Sequence, residues 1–338
     1  MDPDGAKEVA EAATRLGSRL YRTPVQRAFW VGAPAKVYLK LESEQVTNSF
    51  KARGALNKVL SLTKEQRAQG IITASTGNHA LAMANACEIV RRETGEEFKY
   101  EIVLPETASA AKVDLLKAMG APLRFHGQDC LLAENEALRD AKENGKFYVS
   151  PYNDAQVMAG QGTIACELLE QLPEAPAAVF VPVGGGGLIG GIATWIKARS
   201  PGTKVIGCSP VNDAHMAHCV RAGRFVDVDT YKENGGLTLS EGTAGAVETD
   251  SITFPVCQQL VDEWVELTED EIGAAVVDML VHHHKAIEGS AGLGIAACRK
   301  LASRFADQTV AIVICGGNVR AEVMRDLLVK YVPADNSS

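Results

Sequence analysis

The sequence predicts an α/β fold built on mainly parallel sheets, and three observations carry that expectation. Strand-like and helix-like stretches alternate nearly throughout the 338 residues. The strand-like runs, residues 177–183 most clearly, are apolar and rich in β-branched side chains, as strands covered on both faces are. A four-glycine turn, Gly184-Gly185-Gly186-Gly187, joins that run to a segment in which Leu188, Ile192, Trp195 and Ile196 recur at helical spacing. The length is too great for one simple core, so two domains are expected.

Taken in order, residues 1–20 mix Ala, Glu and Arg like a surface helix, and 35–41 alternate as a strand. Residues 49–62 read as a helix that Asn48 or Ser49 can cap. A short strand over 70–74 leads through Gly77 into a helix over 80–92. A strand over 99–104 closes at Pro105, and a helix over 108–119 stops at Gly120. Residues 123–126 are a strand, 131–144 a helix, 147–150 a strand and 160–171 a helix. After the glycine turn, further strands are expected at 205–209, 264–267 and 310–315, with helices between them. Residues 210–262 are rich in Gly and Thr and show no regular period.

Composition narrows the function. Charged residues make up 22% and apolar ones 46%, ordinary for a soluble globular protein. The net charge of −8 disfavours nucleic acid as a partner. The eight cysteines are scattered, without a C-x-x-C pair, which suits reduced core thiols and a cytoplasmic setting. No run of about 18 apolar residues offers a membrane span, and no basic-then-apolar leader opens the chain. An N-x-S sequon in the last three residues carries no weight.

The strand–glycine–helix order around Gly184 builds an anion cradle, because backbone N–H groups approach a ligand closely there and the helix N-terminus adds partial positive charge. Gly185, Gly187 and Gly190 also fit a dinucleotide fingerprint. That fingerprint needs an acid at the end of the next strand, where the chain reads Cys208-Ser209-Pro210. No Gly-Lys-Ser/Thr occurs, which excludes a P-loop. A small phosphorylated cofactor fits better.

Lys51 falls in the first turn of its helix, where a cation opposes the dipole, and Arg53 adds a second positive charge. Both could simply point to solvent. Alternatively, positive surroundings depress the Lys51 pKa and leave an amine suited to carbonyl chemistry. A phosphate cradle and such a lysine together suggest pyridoxal phosphate. Ser75-Thr76-Gly77-Asn78-His79 is a second strand-to-helix turn, suited to a substrate carboxylate or to plain helix capping. Cys315-Gly316-Gly317-Asn318 ends the last strand, and ligands in parallel α/β sheets bind at such strand ends. Lys51, Asn78, Gly184 and Cys315 therefore converge on one cleft. His282, His283 and His284 cannot share a metal, since consecutive helical residues point about 100° apart; a partly solvated helix face is expected there.

These motifs resemble those of the fold-type II pyridoxal-phosphate enzymes (the tryptophan synthase β-like fold), in particular the serine/threonine dehydratase and serine racemase group. Ser49-Phe50-Lys51-Ala52-Arg53-Gly54-Ala55, the Ser75 and Gly184 turns and the Cys315 turn carry the likeness. Ala159-Gly160-Gln161-Gly162-Thr163 and Ile287-Glu288-Gly289-Ser290-Ala291-Gly292 extend it, so that it spans about Thr23 to Asn318. The resemblance implies two domains, a large cofactor domain of residues 1–47 plus 148–338 and a small substrate-side domain of residues 48–147. It implies that Lys51 holds the cofactor covalently, with Phe50 beside its ring and Asn78 on its 3-hydroxyl. Gly184, Gly185, Gly186, Gly187 and Leu188 would hold the phosphate, with Cys315 by the ring nitrogen and Glu288 also at the cofactor. Ser75, Thr76, Gly77, Asn78 and His79 would bind the substrate carboxylate. The implied activity is an ammonia-lyase acting on a β-hydroxy amino acid such as L-serine or L-threonine, in a homodimer.

The chain departs from the group in places. Thr76 stands where racemising members place a serine base for the second face, and a racemase using Lys51 and Thr76 is the alternative activity. Ser209 and His215 stand where the group's divalent-cation site has acids, so no metal is expected. Small residues fill 239–245, where a bulkier substrate side chain could fit, and about 20 residues after Asn318 leave no room for a C-terminal regulatory domain.

Overall fold

The computed structural model describes residues 3–227 and 237–332. The sequon at 336–338 lies outside the described residues. Ten strands are present among those residues: β1 (Val25–Ala28), β2 (Lys36–Lys40), β3 (Ile71–Ala74), β4 (Tyr100–Leu104), β5 (Leu123–Phe125), β6 (Phe147–Tyr148), β7 (Ala178–Pro182), β8 (Lys204–Pro210), β9 (Glu263–Leu267) and β10 (Thr309–Val313). They form two sheets, one ordered β1-β2-β10-β7-β8-β9 and one ordered β5-β4-β3-β6. Every pairing is parallel except that of β1 with β2. In the centre of the larger sheet Ile312 lies opposite both Leu39 and Phe180. All three are fully buried. Each such side chain contributes roughly 1.5–3 kcal/mol of transfer free energy.

The helices are α1 (Pro3–Leu16), α2 (Lys51–Ser61), α3 (Lys64–Gln69), α4 (Asn78–Thr94), α5 (Ala110–Ala118), α6 (Cys130–Asn144), α7 (Ala155–Gln171), α8 (Gly187–Arg199), α9 (His215–Ala222), α10 (Thr253–Leu260), α11 (Glu269–His283), α12 (Gly289–Leu301) and α13 (Ala321–Tyr331). α2 packs on α4 and α7, and α7 on α8, so the helices that begin at Lys51, Asn78 and Gly187 form one connected layer. None of them is long and apolar enough to cross a membrane.

Five elements differ from the sequence reading. The edge strand β1 was not expected; at four residues it is too short to show a period. α3 also escaped notice, although Thr63 and Gln66 form a capping box that the sequence does contain. The stretch without regular period holds α9 and α10. Finally, α2 starts at Lys51, with Phe50 in the N-cap position and no side-chain cap. Neither Asn48 nor Ser49 caps it. Ser49 instead bridges to Gly316, and the N–H of Phe50 donates to the Cys315 carbonyl at 3.0 Å.

Candidate active site

Three strand-to-helix turns and one helix start converge at the carboxyl ends of the two sheets. β7 leads through Gly184–Gly186 into α8, and Gly186 adopts a left-handed φ of 86°, which favours glycine. A Cβ on Gly185 would lie 2.5 Å from the Tyr152 ring, so a side chain there would meet a wall already in place. Among the described residues, no backbone N–H from Gly184 to Leu188 is donated to another protein group, and the first bond into the helix runs from Gly190 N to Gly186 O at 2.8 Å. Five free donors at a helix N-terminus, closed in by Tyr152, Thr243 and Met216, fit a phosphate.

Lys51 opens α2, and its amine donates to the Pro151 carbonyl at 2.6 Å. It also lies 5.1 Å from the centre of the Phe50 ring. Burial lowers its pKa from 10.5 to about 8, against the opposing pull of Cys315 and Glu288. The cause differs from the sequence expectation. Arg53 is not a solvated neighbour pressing on Lys51. It is 2% exposed, and its guanidinium donates to Glu42 at 2.7 and 2.9 Å and to Glu167 at 2.6 and 2.9 Å. Its charge is balanced there, and the Lys40 amine joins the same cluster through Glu167 at 2.5 Å. Desolvation, not repulsion, weakens the Lys51 base.

The Ser75 turn ends β3, and Gly77 is the N-cap of α4. Its first helical bond is from Leu81 N to Gly77 O, which leaves the N–H groups of Asn78 and His79 open toward the cleft. The Asn78 amide nitrogen donates to Glu288 and lies 3.0 Å from each carboxylate oxygen, and Asn318 donates to the Asn78 carbonyl oxygen at 2.8 Å. Asn78, Glu288 and Asn318 thus form one polar chain beside Lys51. Burial pushes the Glu288 carboxyl above its usual range. His79 behaves otherwise. Its imidazole is 2% exposed and hydrogen-bonds the Val149 carbonyl through Nε2 at 3.1 Å. Burial, then the Lys51 charge, pushes its pKa down to about 3, so it is a neutral interior group and only its backbone N–H faces the turn.

Cys315 follows β10 and is 2% exposed. Burial, then the nearby Glu288, pushes its thiol well above 9.0, so it stands as a neutral thiol. Thr76 lines a pocket with Pro105, Ala108, Lys112, Glu241 and Arg320.

Several features fall outside this cleft. His282 and His283 end α11 and His284 is its left-handed C-cap, so only the first two obey helical geometry. His282 stacks on Trp30 at 5.6 Å, and the two His283 nitrogens meet Gln26 at 2.9 Å and Trp30 at 3.4 Å. Where a cation site was considered, Ser209 donates to the Val183 carbonyl at 3.4 Å. His215 spends its ring nitrogens on Val226 O at 2.8 Å and Val247 N at 2.7 Å. Asp213, three residues beyond β8, is buried and accepts from Gly245 N at 2.8 Å, so it is not placed as a ribose ligand.

The sequence reading missed the opposite wall. Pro151 and Tyr152 follow β6 and touch Lys51 and the glycine turn, and the Tyr152 hydroxyl accepts from Glu248 N at 3.1 Å. Their place just beyond a strand end was the available signal. Thr253, which donates to Gly185 O at 2.6 Å, lies in the stretch that had no period to read.

A phosphate cradle, a buried amine of lowered basicity and a second open helix N-terminus in one cleft define an enzyme that works with a phosphorylated carbonyl cofactor. The family model described as pyridoxal-phosphate dependent enzyme matches residues 18–316. The L-threonine ammonia-lyase of Thermotoga maritima is 36% identical over 327 residues, covering 96% of this chain and 78% of that one. Threonine deaminase isoform 2 of Solanum lycopersicum superposes with a TM-score of 0.87 at 30% identity, over 98% of this chain and 89% of the other. Serine racemase of Dictyostelium discoideum superposes with a TM-score of 0.82 at 30% identity, over 93% and 98%. The chain belongs to the pyridoxal-phosphate-dependent enzyme family, and pyridoxal phosphate is its cofactor.

Proposed function

We propose that this protein is an ammonia-lyase that converts a β-hydroxy amino acid such as L-serine or L-threonine to a 2-oxo acid and ammonia by α,β-elimination. The relatives named as threonine ammonia-lyase and threonine deaminase support this reading. The observation that carries it is the Lys51 amine, held at a pKa of about 8 between Pro151 and the Asn78–Glu288 pair.

When bound, pyridoxal phosphate supplies an electron sink for the pair left behind by the α-proton. The rest falls to the chain. The N–H groups of Gly184, Gly185, Gly186, Gly187 and Leu188 would hold the phosphate and Lys51 would be the covalent anchor, with Phe50 packing beside it. The Ser75–His79 turn takes the substrate carboxylate on its backbone donors. Glu288 fixes Asn78, whose amide is tied at both ends and so presents one orientation to the cofactor. Cys315 would offer a neutral thiol to the ring nitrogen, a weaker partner than a carboxylate. Lys51 Nζ, once released from its anchoring role, would take the α-proton; with a pKa of about 8 part of it is free amine at neutral pH.

Elimination needs that one base, whereas racemisation needs a second proton carrier on the other face. Thr76, which lines the adjoining pocket, would be that carrier, and its β-branch restricts χ1. Dehydration therefore outruns racemisation. Thr76→Ala is expected to keep dehydration and lose racemisation, and Thr76→Ser to raise racemisation. Chiral chromatography beside 2-oxo acid release from one L-enantiomer decides this. Racemisation that outpaces 2-oxo acid release and persists in Thr76→Ala would establish the racemase instead.

We assign residues 48–147 to the substrate-side domain and 1–47 plus 148–338 to the cofactor domain. The smaller sheet's strands run from Ile71 to Tyr148, with those of the larger sheet on either side. A cytoplasmic homodimer completes the reading; all eight cysteines are free thiols, which suits a reducing compartment.

A further inference from the structure

The pocket of about 200 Å³ beside Thr76 carries an unbalanced charge. Among its described lining residues, Lys112 and Arg320 are the cations and Glu241 is the one acid. Glu241 serves both: Arg320 Nη2 lies 2.5 Å from Oε1, and Lys112 Nζ lies 3.7 Å from Oε2. The three groups sum to one net positive charge in this pocket. Their side chains are 37%, 52% and 55% exposed for Lys112, Arg320 and Glu241, so a ligand can reach them from the pocket.

Their placement is tied to the cofactor cleft. Arg320 lies two residues beyond Asn318, whose amide nitrogen donates to Asn78 at 2.8 Å and to the Thr47 carbonyl at 2.9 Å. Lys112 sits on α5, which follows β4 of the smaller sheet. Glu241 belongs to a short turn of residues 241–243, and Thr243 of that turn closes on Gly184. Elements that follow strands of both sheets thus place two cations in one pocket with Thr76, which belongs to the turn proposed to take the substrate's α-carboxylate.

We propose that Arg320 and Lys112 form a subsite for a second carboxylate, carried on the β-carbon of the substrate, and that Glu241 occupies their donors until that carboxylate arrives. This rests on the lyase reading and narrows its substrate to a β-hydroxy amino diacid, 3-hydroxyaspartate. A guanidinium binds a carboxylate through two parallel N–H donors, which serine and threonine cannot use. The incoming charge brings the cluster to neutrality. The chemistry stays within the proposed reaction. The Cα–H and Cβ–O bonds break, hydroxide leaves with a proton as water, and the released enamine takes up water to give a four-carbon 2-oxo diacid and ammonia. No electrons pass to or from a co-reactant.

The test compares L-aspartate with L-alanine by calorimetry on the holoenzyme. They share the amino-acid backbone, lack a leaving group and differ in the second carboxylate. The parent is expected to bind L-aspartate at least tenfold more tightly than L-alanine. That ratio is expected to fall tenfold in Arg320→Gln and to rise in Glu241→Gln. Release of 2-oxo acid from threo- and erythro-3-hydroxyaspartate is followed alongside L-serine and L-threonine, with kcat/KM expected to be highest for one hydroxyaspartate isomer. A parent ratio of one or below, or a ratio that fails to move as stated in either variant, overturns the subsite. Turnover of L-serine or L-threonine that exceeds both hydroxyaspartates also overturns it. If none of the four substrates yields 2-oxo acid, the lyase reading falls, while the calorimetric ratios still decide the subsite.

Discussion

The ionisation of Lys51 can be measured directly. An ordinary lysine, with a pKa of 10.5, is free amine in about one molecule in 3,000 at pH 7. Burial brings Lys51 to about 8. At that value about one molecule in ten is free amine at pH 7, a gain of about 300-fold. In the cofactor-free protein, labelling of the Lys51 peptide by a small aldehyde with cyanoborohydride, followed by mass spectrometry across pH 6 to 11, is expected to rise with a midpoint near 8. A lysine in a short unstructured reference peptide labels with a midpoint near 10.5. Glu288 favours the charged amine, so Glu288→Gln is expected to move the Lys51 midpoint further down. The sign carries over to stability. The folded chain releases this proton near 8 and the unfolded chain near 10.5, so the unfolded state binds more protons between those values. Folding of the cofactor-free protein therefore gains from Lys51 as pH rises through that window, and Lys51→Met removes the gain. A Lys51 midpoint near 10.5 would refute desolvation as the cause of its reactivity, and trapping of pyridoxal phosphate on another lysine would refute its role.

Three further outcomes follow from the geometry. Gly185→Ala forces a Cβ to 2.5 Å from the Tyr152 ring, which is expected to cost about 1–3 kcal/mol in denaturant unfolding and to lower bound cofactor, read by absorbance. Cys315→Ser keeps a neutral group by the ring and is expected to retain turnover; Cys315→Asp puts a carboxylate there, favours protonation of the ring and is expected to slow elimination, with unchanged 2-oxo acid release in Cys315→Asp counting against the assignment. Glu42→Gln removes one of the two carboxylates on the buried Arg53, and a loss of about 3 kcal/mol is expected in the unfolding midpoint, with the pH midpoint of Lys51 labelling left in place because Arg53 does not set it.

The order of strands and helices and the three turns that build the cleft could be read directly from the chain. Gly184–Gly187, Ser75–His79 and Cys315–Asn318 announce themselves because glycine and small polar residues at strand ends have few other uses. Lys51 was singled out too, but for the wrong physical reason. Helix position is local and visible in sequence, whereas desolvation depends on what packs around the amine, and Pro151, Glu288 and Cys315 lie between 100 and 264 positions away. The same limit hid the balanced charge of Arg53, which meets Glu167 across 114 positions. It also hid the inward turn of His79, which sits in a motif with Asn78 yet serves Val149. Sequence determined the alternation and the glycine turns and singled out Lys51 as the candidate amine, since those follow from backbone freedom, helix position and apolar period within a few residues. Only the tertiary structure decided how basic that amine is, which polar groups are tied, and that Lys112, Glu241 and Arg320 share one pocket, because burial and charge pairing are set by residues that folding, not chain order, brings together.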